Sequence, residues 1–546
     1  MRPTFASFNV AKRGLDAARA NLSITGQNIT NVNTVGYTRQ RVDLNSIGSM
    51  GWQTRYANPN DLYAGEGVNI AGTSQFRDPY LDVRFRRENA KYANSGTEVN
   101  TLQELQDIFD ETIKEGLAKQ FSDLTSQLQN LVGKTNDTVA EGIVKNSALM
   151  LVKLFNHTAD QLATVKQQQL ESLQDDSVKS ANDLLKGIAN LNEQIKKANI
   201  AGNPALELQD SRNSMIDELS GIVNLEVSTK KVDIGSGVYV EELSIQLVGA
   251  NEKFNLVDNN NYKQFDLAKN ATTQDVETPI KILLKDQNGL PVGGSNNGVL
   301  SLVDGDITNQ ITTGEFSAHL KMLNSSGEFD DPATQDRGIQ YYEKMLNTMV
   351  YEFANTLNAA NSTSNPVPKL DALGNPVIGS DGRPVLQYDK PMFESTDGDT
   401  INASNIRIAQ KWNNTSGSYL TATKTDANGV TTDNILSMIA KLSSDVNFTA
   451  PVTGTPLFKG NFQTCFTNIS VTLGLELKSA TRQTESYAGV LTDIDEQRAS
   501  VSSVNIDEEG INLIQFNQSL SAASRYMTTL DEAVDTIINR MGLVGR

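Results

Sequence analysis

The sequence predicts an α+β multidomain chain: terminal coiled-coil helices and a long-helix bundle are built from both chain ends, with an inserted β-rich outer domain between them. Three observations predict it. Each end carries a seven-residue apolar repeat, Phe8, Leu15, Leu22 and Ile29 at the start and Ile506, Leu513, Leu520, Met527, Val534 and Met541 at the finish. Three residues after each come Ala11, Ala18, Thr25 and Val32 in the first series, and Glu509, Phe516, Ala523, Leu530, Ile537 and Val544 in the second. A strict heptad makes a narrow stripe that must be buried against another helix, and each stripe has its candidate partner at the other end. Inward of the two ends, apolar residues recur at the helical period on both sides. Only in the middle does the period switch toward two.

The elements follow in order. The N-terminal helix is expected from about Phe5 to Ile29. Asn28-Ile-Thr-Asn31-Val-Asn33-Thr-Val-Gly36-Tyr37 ends it, because Asn and Thr side chains compete for backbone hydrogen bonds. Residues 42–76 read as extended and turn-rich, with turns at Asn58-Pro59-Asn60 and Gly65-Glu-Gly67. Helical periodicity returns at Leu102, Leu105, Phe109, Ile113 and Leu117, then at Phe121, Leu124, Leu128 and Leu131. It continues from Ile143 until Gly202-Asn203-Pro204 stops it, and a last helix of this block covers about 207–219. From Val223, Val238-Tyr-Val240 and Leu243-Ser-Ile245-Gln-Leu247 alternate as half-buried strands, and residues 258–261 and 293–298 are loop clusters.

Helix is expected again over 334–361, carrying Ile339, Tyr342, Leu346, Met349, Phe353 and Leu357, then over 434–442 and from about Phe466 to Ala499. Val501-Ser-Ser-Val-Asn505 separates that last stretch from the final heptad helix. The pattern Asp-x-x-Gly-x-Pro-Val occurs at 286–292 and 371–377, with a shortened form at 381–385. It lacks the alternating oxygen ligands and closing Glu of a calcium loop and reads as hairpin turns. Four units result: 1–60 with 505–546 as a terminal coiled-coil domain, 61–227 with 326–361 and 401–504 as a helical bundle, 228–325 as the β-rich outer domain, and 362–400 as a β-hairpin-like insertion.

The formal net charge is −18 and there is no basic run, which argues against nucleic acid, since binding a polyanion draws on Lys and Arg clusters. The ends differ in sign. Residues 1–41 hold Arg2, Lys12, Arg13, Arg19, Arg39 and Arg41 against Asp16, whereas 505–546 hold Asp507, Glu508, Glu509, Asp531, Glu532 and Asp535 against three arginines. Opposite signs favour pairing of the two helices over self-pairing, as a bias rather than a driving force. The lone Cys465 precludes an intrachain disulfide and reads as a buried structural thiol. No stretch approaches eighteen consecutive apolar residues, so no membrane insertion is expected. The start lacks the apolar core of a cleaved secretion signal, which leaves the cytoplasm or an export route without one. The only histidines are His157 and His319, and there is no HExxH, GxSxG, CxxC or P-loop. Gly235-Ser-Gly237 lacks the third glycine of a dinucleotide turn, so neither an enzyme nor a cofactor is expected.

Where the first heptad meets its breaker, the segment from Asn28 to Tyr37 followed by Arg39-Gln40-Arg41-Val42 resembles the N-terminal signature of the flagellar rod, hook and hook-associated axial proteins. The Tyr-x-Arg-Gln-Arg version is most like the hook-associated, hook–filament junction branch. Val504-Asn-Ile-Asp507-Glu508-Glu509 with Leu513-Ile-Gln515-Phe516-Asn-Gln518 resembles the C-terminal signature, although Leu520 stands where a Tyr is usual and Asn517 where a Gln is usual. Gly116-Leu117 before Phe121, Ala189–Ile195 with Asn192, and Asp210-Ser-Arg212 agree as well. The resemblance implies a structural protein of the flagellum, exported by the flagellar type III route and assembled as a ring of copies at the hook–filament junction. Its implied partners are other copies of itself, the hook protein, the second hook-associated junction protein, and an export chaperone at the C-terminal segment. The candidate assembly interface is Phe8, Leu15, Leu22 and Ile29, with Asn28, Asn31, Asn33, Gly36 and Tyr37, and Leu513, Phe516, Leu520, Met527, Leu530, Val534 and Ile537. Other axial proteins, or a surface adhesin displaying the middle region, are the alternatives.

Overall fold

The structure, a computed structural model, describes residues 6–47, 65–134, 137–235, 239–270, 275–292, 305–415, 417–425 and 431–540. The expected turn at 58–60, the loop at 293–298 and the heptad residues Met541 and Val544 lie outside them. Helix α1 (Ala6–Thr30) ends at the Asn/Thr cluster, where Asn31 and Thr34 close a turn. Strands β1 (Gln40–Ser46) and β2 (Val68–Gln75) then form an antiparallel ribbon with a bulge at Asp43/Leu44. Helix α2 (Pro79–Glu115) begins well before Leu102, where apolar periodicity first signals it. The early part carries Arg84, Arg86, Arg87, Glu88 and Lys91, and its packing is largely ionic, so no apolar stripe marks it.

Helices α3 (Leu117–Leu131) and α4 (Thr138–Glu171) follow, the latter capped by Asp137, whose carboxylate accepts from the N–H groups of Val139 and Ala140. A π-helical turn at Ser172–Val178 joins α4 to α5 (Lys179–Ile200), so the single expected run is one rod with a wide turn in it. Helix α6 is Leu206–Ile222. Five strands then make an antiparallel meander: β3 (Leu225–Asp233), β4 (Tyr239–Val248), β5 (Lys253–Asp258), β6 (Asn261–Leu267) and β7 (Ile282–Asp286). Leu243, Ile245 and Leu247 of β4 are buried on one face, which α5 covers, and Val240 is buried at the opposite parity. Asn182 of α5 both donates to and accepts from the Phe265 backbone of β6.

Helix returns earlier than expected. α7 (Glu315–Asn324) lies inside the stretch read as strand, and it buries Phe316, Leu320 and Leu323 at helical spacing. α8 (Ile339–Asn361) then runs through the core. The insertion carries the short pair β8 (Val367–Pro368) and β9 (Leu386–Gln387). The repeated Asp pattern forms Asx turns: Asp286 accepts from the N–H of Asn288 and Leu290, and Asp371 from Leu373 and Asn375. Beyond it the chain is not all bundle helix. It contains β10 (Phe393–Ser395), β11 (Ile406–Ile408), α9 (Gln410–Asn414), β12 (Thr423–Thr425), β13 (Thr431–Asp433), α10 (Asn434–Ser443), β14 (Val446–Thr449) and β15 (Pro456–Gly460). Glu141, buried at the start of α4, ties this stretch down by accepting from Trp412 Nε1 at 2.9 Å and from the N–H groups of Tyr419 and Leu420.

Finally α11 (Phe462–Ser502) runs antiparallel to α2, with Phe466 near Phe109 at one end and Arg498 on Asp82 at the other. Residues 503–505 break the rod before α12 (Ile506–Asp535) and a closing π-turn (Thr536–Arg540). The core is aromatic: Phe121, Phe155, Phe353 and Phe462 meet pairwise at 5.4–6.3 Å between ring centres. Each such ring contributes roughly 1.5–3 kcal/mol by burial. Cys465 is fully buried beside this cluster, and burial raises its thiol to about 12.

Candidate assembly site: a terminal helix pair and the loop that clasps it

α1 packs against α12, so the two ends of the chain do meet. Along the helix pair the residues α1 buries are small, Ala11, Ala17, Ala18 and Thr25, and near its end it buries Asn28. Phe8, Leu15, Leu22 and Ile29 are half-buried beside them. An alanine seam lets the helix axes approach closely, which places the larger residues at the flanks. On α12, Phe516, Leu520, Met527, Leu530 and Val534 are half-buried, while Leu513 and Ile537 are exposed. Ile511, Ile514 and Tyr526 also face solvent. Among the described residues of α12 a single side chain is buried, and it is charged: Glu509.

Glu509 marks the foot of the pair, where the breaker loop forms a clasp. Asn28 is 1 % exposed and holds the loop on three sides. Its Nδ2 donates to the Gln40 carbonyl, and its Oδ1 accepts from Gln40 N–H and from the Tyr37 hydroxyl, all at 3.0 Å. Asn31 donates back to the Gln27 carbonyl and accepts from Thr34 Oγ1. Gly36 has φ +79°, a left-handed conformation that costs a side-chain-bearing residue about 1 kcal/mol. It turns the chain so that Tyr37 points back to Asn28. Asn33, at the outer edge of the turn, is exposed.

The loop then reaches three other elements. Thr38 N–H donates to Asp210 of α6 at 3.0 Å, and Glu207 on the same helix accepts from both Gln27 and Gln40. Arg39 N–H donates to the Ser502 carbonyl at the end of α11. The Arg39 guanidinium donates to Glu509 at 2.7 Å and to Glu508 at 2.8 Å, and lies 5.3 Å from the Phe76 ring. Asn505 caps α12, accepting from Asp507 and Glu508 N–H, and the acidic first turn suits the positive helix start. Burial, with Glu207, Asp210 and Glu509 nearby, pushes the Tyr37 hydroxyl up to about 12, so it stays a donor to Asn28.

Beneath the clasp lies a cleft of about 300 Å³ lined by Thr38, Arg77, Asp82, Asp210, Asp217 and Arg498. Its walls are ion pairs, Arg77 with Asp82 at 2.6 Å and Arg498 with both Asp82 and Asp217, and behind them Arg86 holds Asp217 at 2.6 Å. These charges are mostly buried, which joins α2, α6 and α11 through bonds that tolerate no missing partner. Asp210 is raised by its burial. Two residues on, Arg212 turns the opposite way to Asn192 and Glu241, so one turn of α6 holds the clasp on one side and the outer sheet on the other.

Of the residues read from sequence, Asn28, Asn31, Gly36 and Tyr37 converge at the clasp and Asn33 does not; the candidate heptad residues line the helix pair except Leu513 and Ile537, which are exposed. Arg39, Glu207, Asp210, Ser502 and Glu509 complete it without having been assigned there. Arg39 and Glu509 were visible as opposite charges and as parts of two motifs, but only folding shows them as partners 470 positions apart. Among the described residues no helix is long and apolar enough to cross a membrane.

Residues 102–365 match the family model described as the flagellar hook-associated protein FlgK helical domain, and residues 8–38 match that of the flagella basal body rod protein. Flagellar hook-associated protein 1 of Bacillus subtilis is 28 % identical over 559 residues, spanning all of both chains. That of Salmonella typhimurium is 28 % identical over 214 residues, 38 % of this chain and 36 % of that one. The structure of the flagellar hook junction protein FlgK from Burkholderia pseudomallei shares the fold, with a TM-score of 0.51 at 13 % identity over 77 % of this chain and all of that one.

Proposed function

We propose, from the premise that this chain belongs to the flagellar hook-associated protein 1 family, that it builds the hook–filament junction as a ring of copies joined through the terminal helix pair. Membership makes it a structural part of the extracellular flagellum. The observation that carries the finer reading is α12 itself, a 30-residue helix with one buried side chain and a half-exposed apolar stripe. Such a helix is under-buried in a lone chain and gains its remaining packing from neighbours. Phe516, Leu520, Met527, Leu530 and Val534 then serve as contacts between copies, together with Phe8, Leu15, Leu22 and Ile29 across the pair. The clasp of Asn28, Asn31, Gly36 and Tyr37 sets the angle at which the pair leaves the helical body. The hook protein on one side and the second hook-associated protein on the other are the axial neighbours of such a ring. An export chaperone would cover the same C-terminal stripe before assembly.

The test is immuno-electron microscopy of flagella from cells making this chain, with a strain lacking 506–546 alongside. Label at the hook–filament boundary, and hooks without filaments in the deletion strain, are expected. Normal filaments on the deletion strain would overturn the reading.

A further inference from the structure

The chain is strongly acidic, yet the first turns of α2 present a cationic and aromatic face. Tyr80, Val83, Arg84 and Arg87 recur at helical spacing; Tyr80 is 68 % exposed, Val83 53 %, and the Arg87 side chain 63 %. The Arg84 guanidinium lies 5.9 Å from the Tyr80 ring centre. Beside it, the end of α11 exposes Asp493, Asp495 and Glu496, edged by the half-exposed Val490 and Val501. The two faces stand at the same level, because Arg498 bonds Asp82 at 3.0 Å and stacks 4.2 Å from the Phe85 ring. Within the chain their charges pair along their own helices, Arg87 with Glu88 at 3.5 Å and Asp495 with Arg498 at 3.9 Å.

We propose that the Tyr80–Arg87 face of α2 receives the acidic end of α11 from a second copy of this chain. This rests on the ring assembly proposed above and names its lateral contact. Complementary charge selects the occupant: a two-fold contact would set arginine against arginine, whereas a head-to-tail contact sets arginine against carboxylate and repeats around a closed ring. Equal level along the α2–α11 pair means that side-by-side copies bring the two faces together without a shift. Tyrosine and arginine are the side chains on which interface energy concentrates, and guanidinium–carboxylate pairs add orientation. Val83 meets the apolar edge formed by Val490 and Val501.

The test uses flagella isolated from cells producing the full chain with Tyr80→Cys and Glu496→Cys together. Cys465 is buried and stays silent. Oxidation should give a ladder of covalent multimers, with each single variant giving none. In parallel, Arg84→Glu with Arg87→Glu should reduce filaments per cell roughly tenfold, and adding Asp493→Arg with Glu496→Arg should restore them. Absence of the ladder from chains that label at the junction overturns the proposal, as does an unchanged filament count in the reversed variant. A crosslink from the substituted position 80 to a different protein also overturns it. If the reversed chains are not exported, the cysteine ladder alone decides. Wild-type chain missing from the junction would instead refute the ring reading itself.

Discussion

Arg39→Ala should free the start of α12 from the rest of the molecule. Glu509 is 1 % exposed and the Arg39 side chain 19 %, with 2.7 Å between them. Removing the guanidinium leaves a buried carboxylate without a cation, a loss of about 3–5 kcal/mol in comparable pairs. The Glu508 arm is 58 % exposed and contributes roughly 0.5 kcal/mol at most. Arg39 retains some solvent, which favours the lower end, about 3 kcal/mol, or roughly a 150-fold rise in local opening. Amide hydrogen exchange of the full chain reads this directly: residues 508–512 should lose about that factor of protection in the variant. Glu508→Ala should change it less than about threefold. Arg39→Met combined with Glu509→Leu should recover most of the loss, because neither charge is then left buried. Unchanged exchange in Arg39→Ala, or equal effects of Arg39→Ala and Glu508→Ala, would refute the assignment of Glu509 as the anchor.

Beyond that first turn, the free chain should exchange rapidly in α12 and α1, and strong protection throughout would show a pair already stable alone. Leu520→Asp puts a charge into the half-buried stripe and should abolish filament assembly, while the exposed Asn517→Ala should leave swimming unchanged; equal effects would contradict the register. His319 is buried and its imidazole is lowered from 6.5 to about 4, so between those values the unfolded chain binds a proton that the folded chain refuses. Stability should therefore fall by up to roughly 3 kcal/mol as pH drops from 6.5 toward 4. His319→Leu should flatten that part of the curve in urea melts. Glu141→Ala strands the Trp412, Tyr419 and Leu420 N–H groups and should lower stability by about 4 kcal/mol with a red-shifted tryptophan emission; Glu141→Gln should cost about half.

Legibility in the sequence tracked the kind of force involved. Elements held by apolar burial were readable from spacing alone, as with Phe121, Leu124, Leu128 and Leu131 of α3 or the alternation of β4. The start of α2 was silent because Arg86, Asp82 and their partners replace hydrophobic contacts there, and ion pairs leave no period. Helix α7 is no shorter than α10, which is legible; its stripe of Phe316, Leu320 and Leu323 follows directly on strand and loop patterns that mask it. At the site, Asn28 and Gly36 announced themselves as breakers, but a breaker does not name what it holds. Asp210 and Arg212 belong to one short motif, and only the fold reveals that they serve opposite faces of α6.

The distance in sequence between Arg39 and Glu509 also has a consequence in time. A ribosome adding about 5–20 residues per second needs roughly 25–90 s to travel from one to the other. Throughout that interval the N-terminal helix can pack on β1 and β2 but lacks α12. The bonds of Asn28 with Gln40 and Tyr37 need only the first part of the chain, whereas the Arg39–Glu509 arm waits for the C-terminal segment. A product truncated before Glu508 would leave Arg39 without either carboxylate, so the one anchored turn of α12 reports that the C-terminal segment has been made.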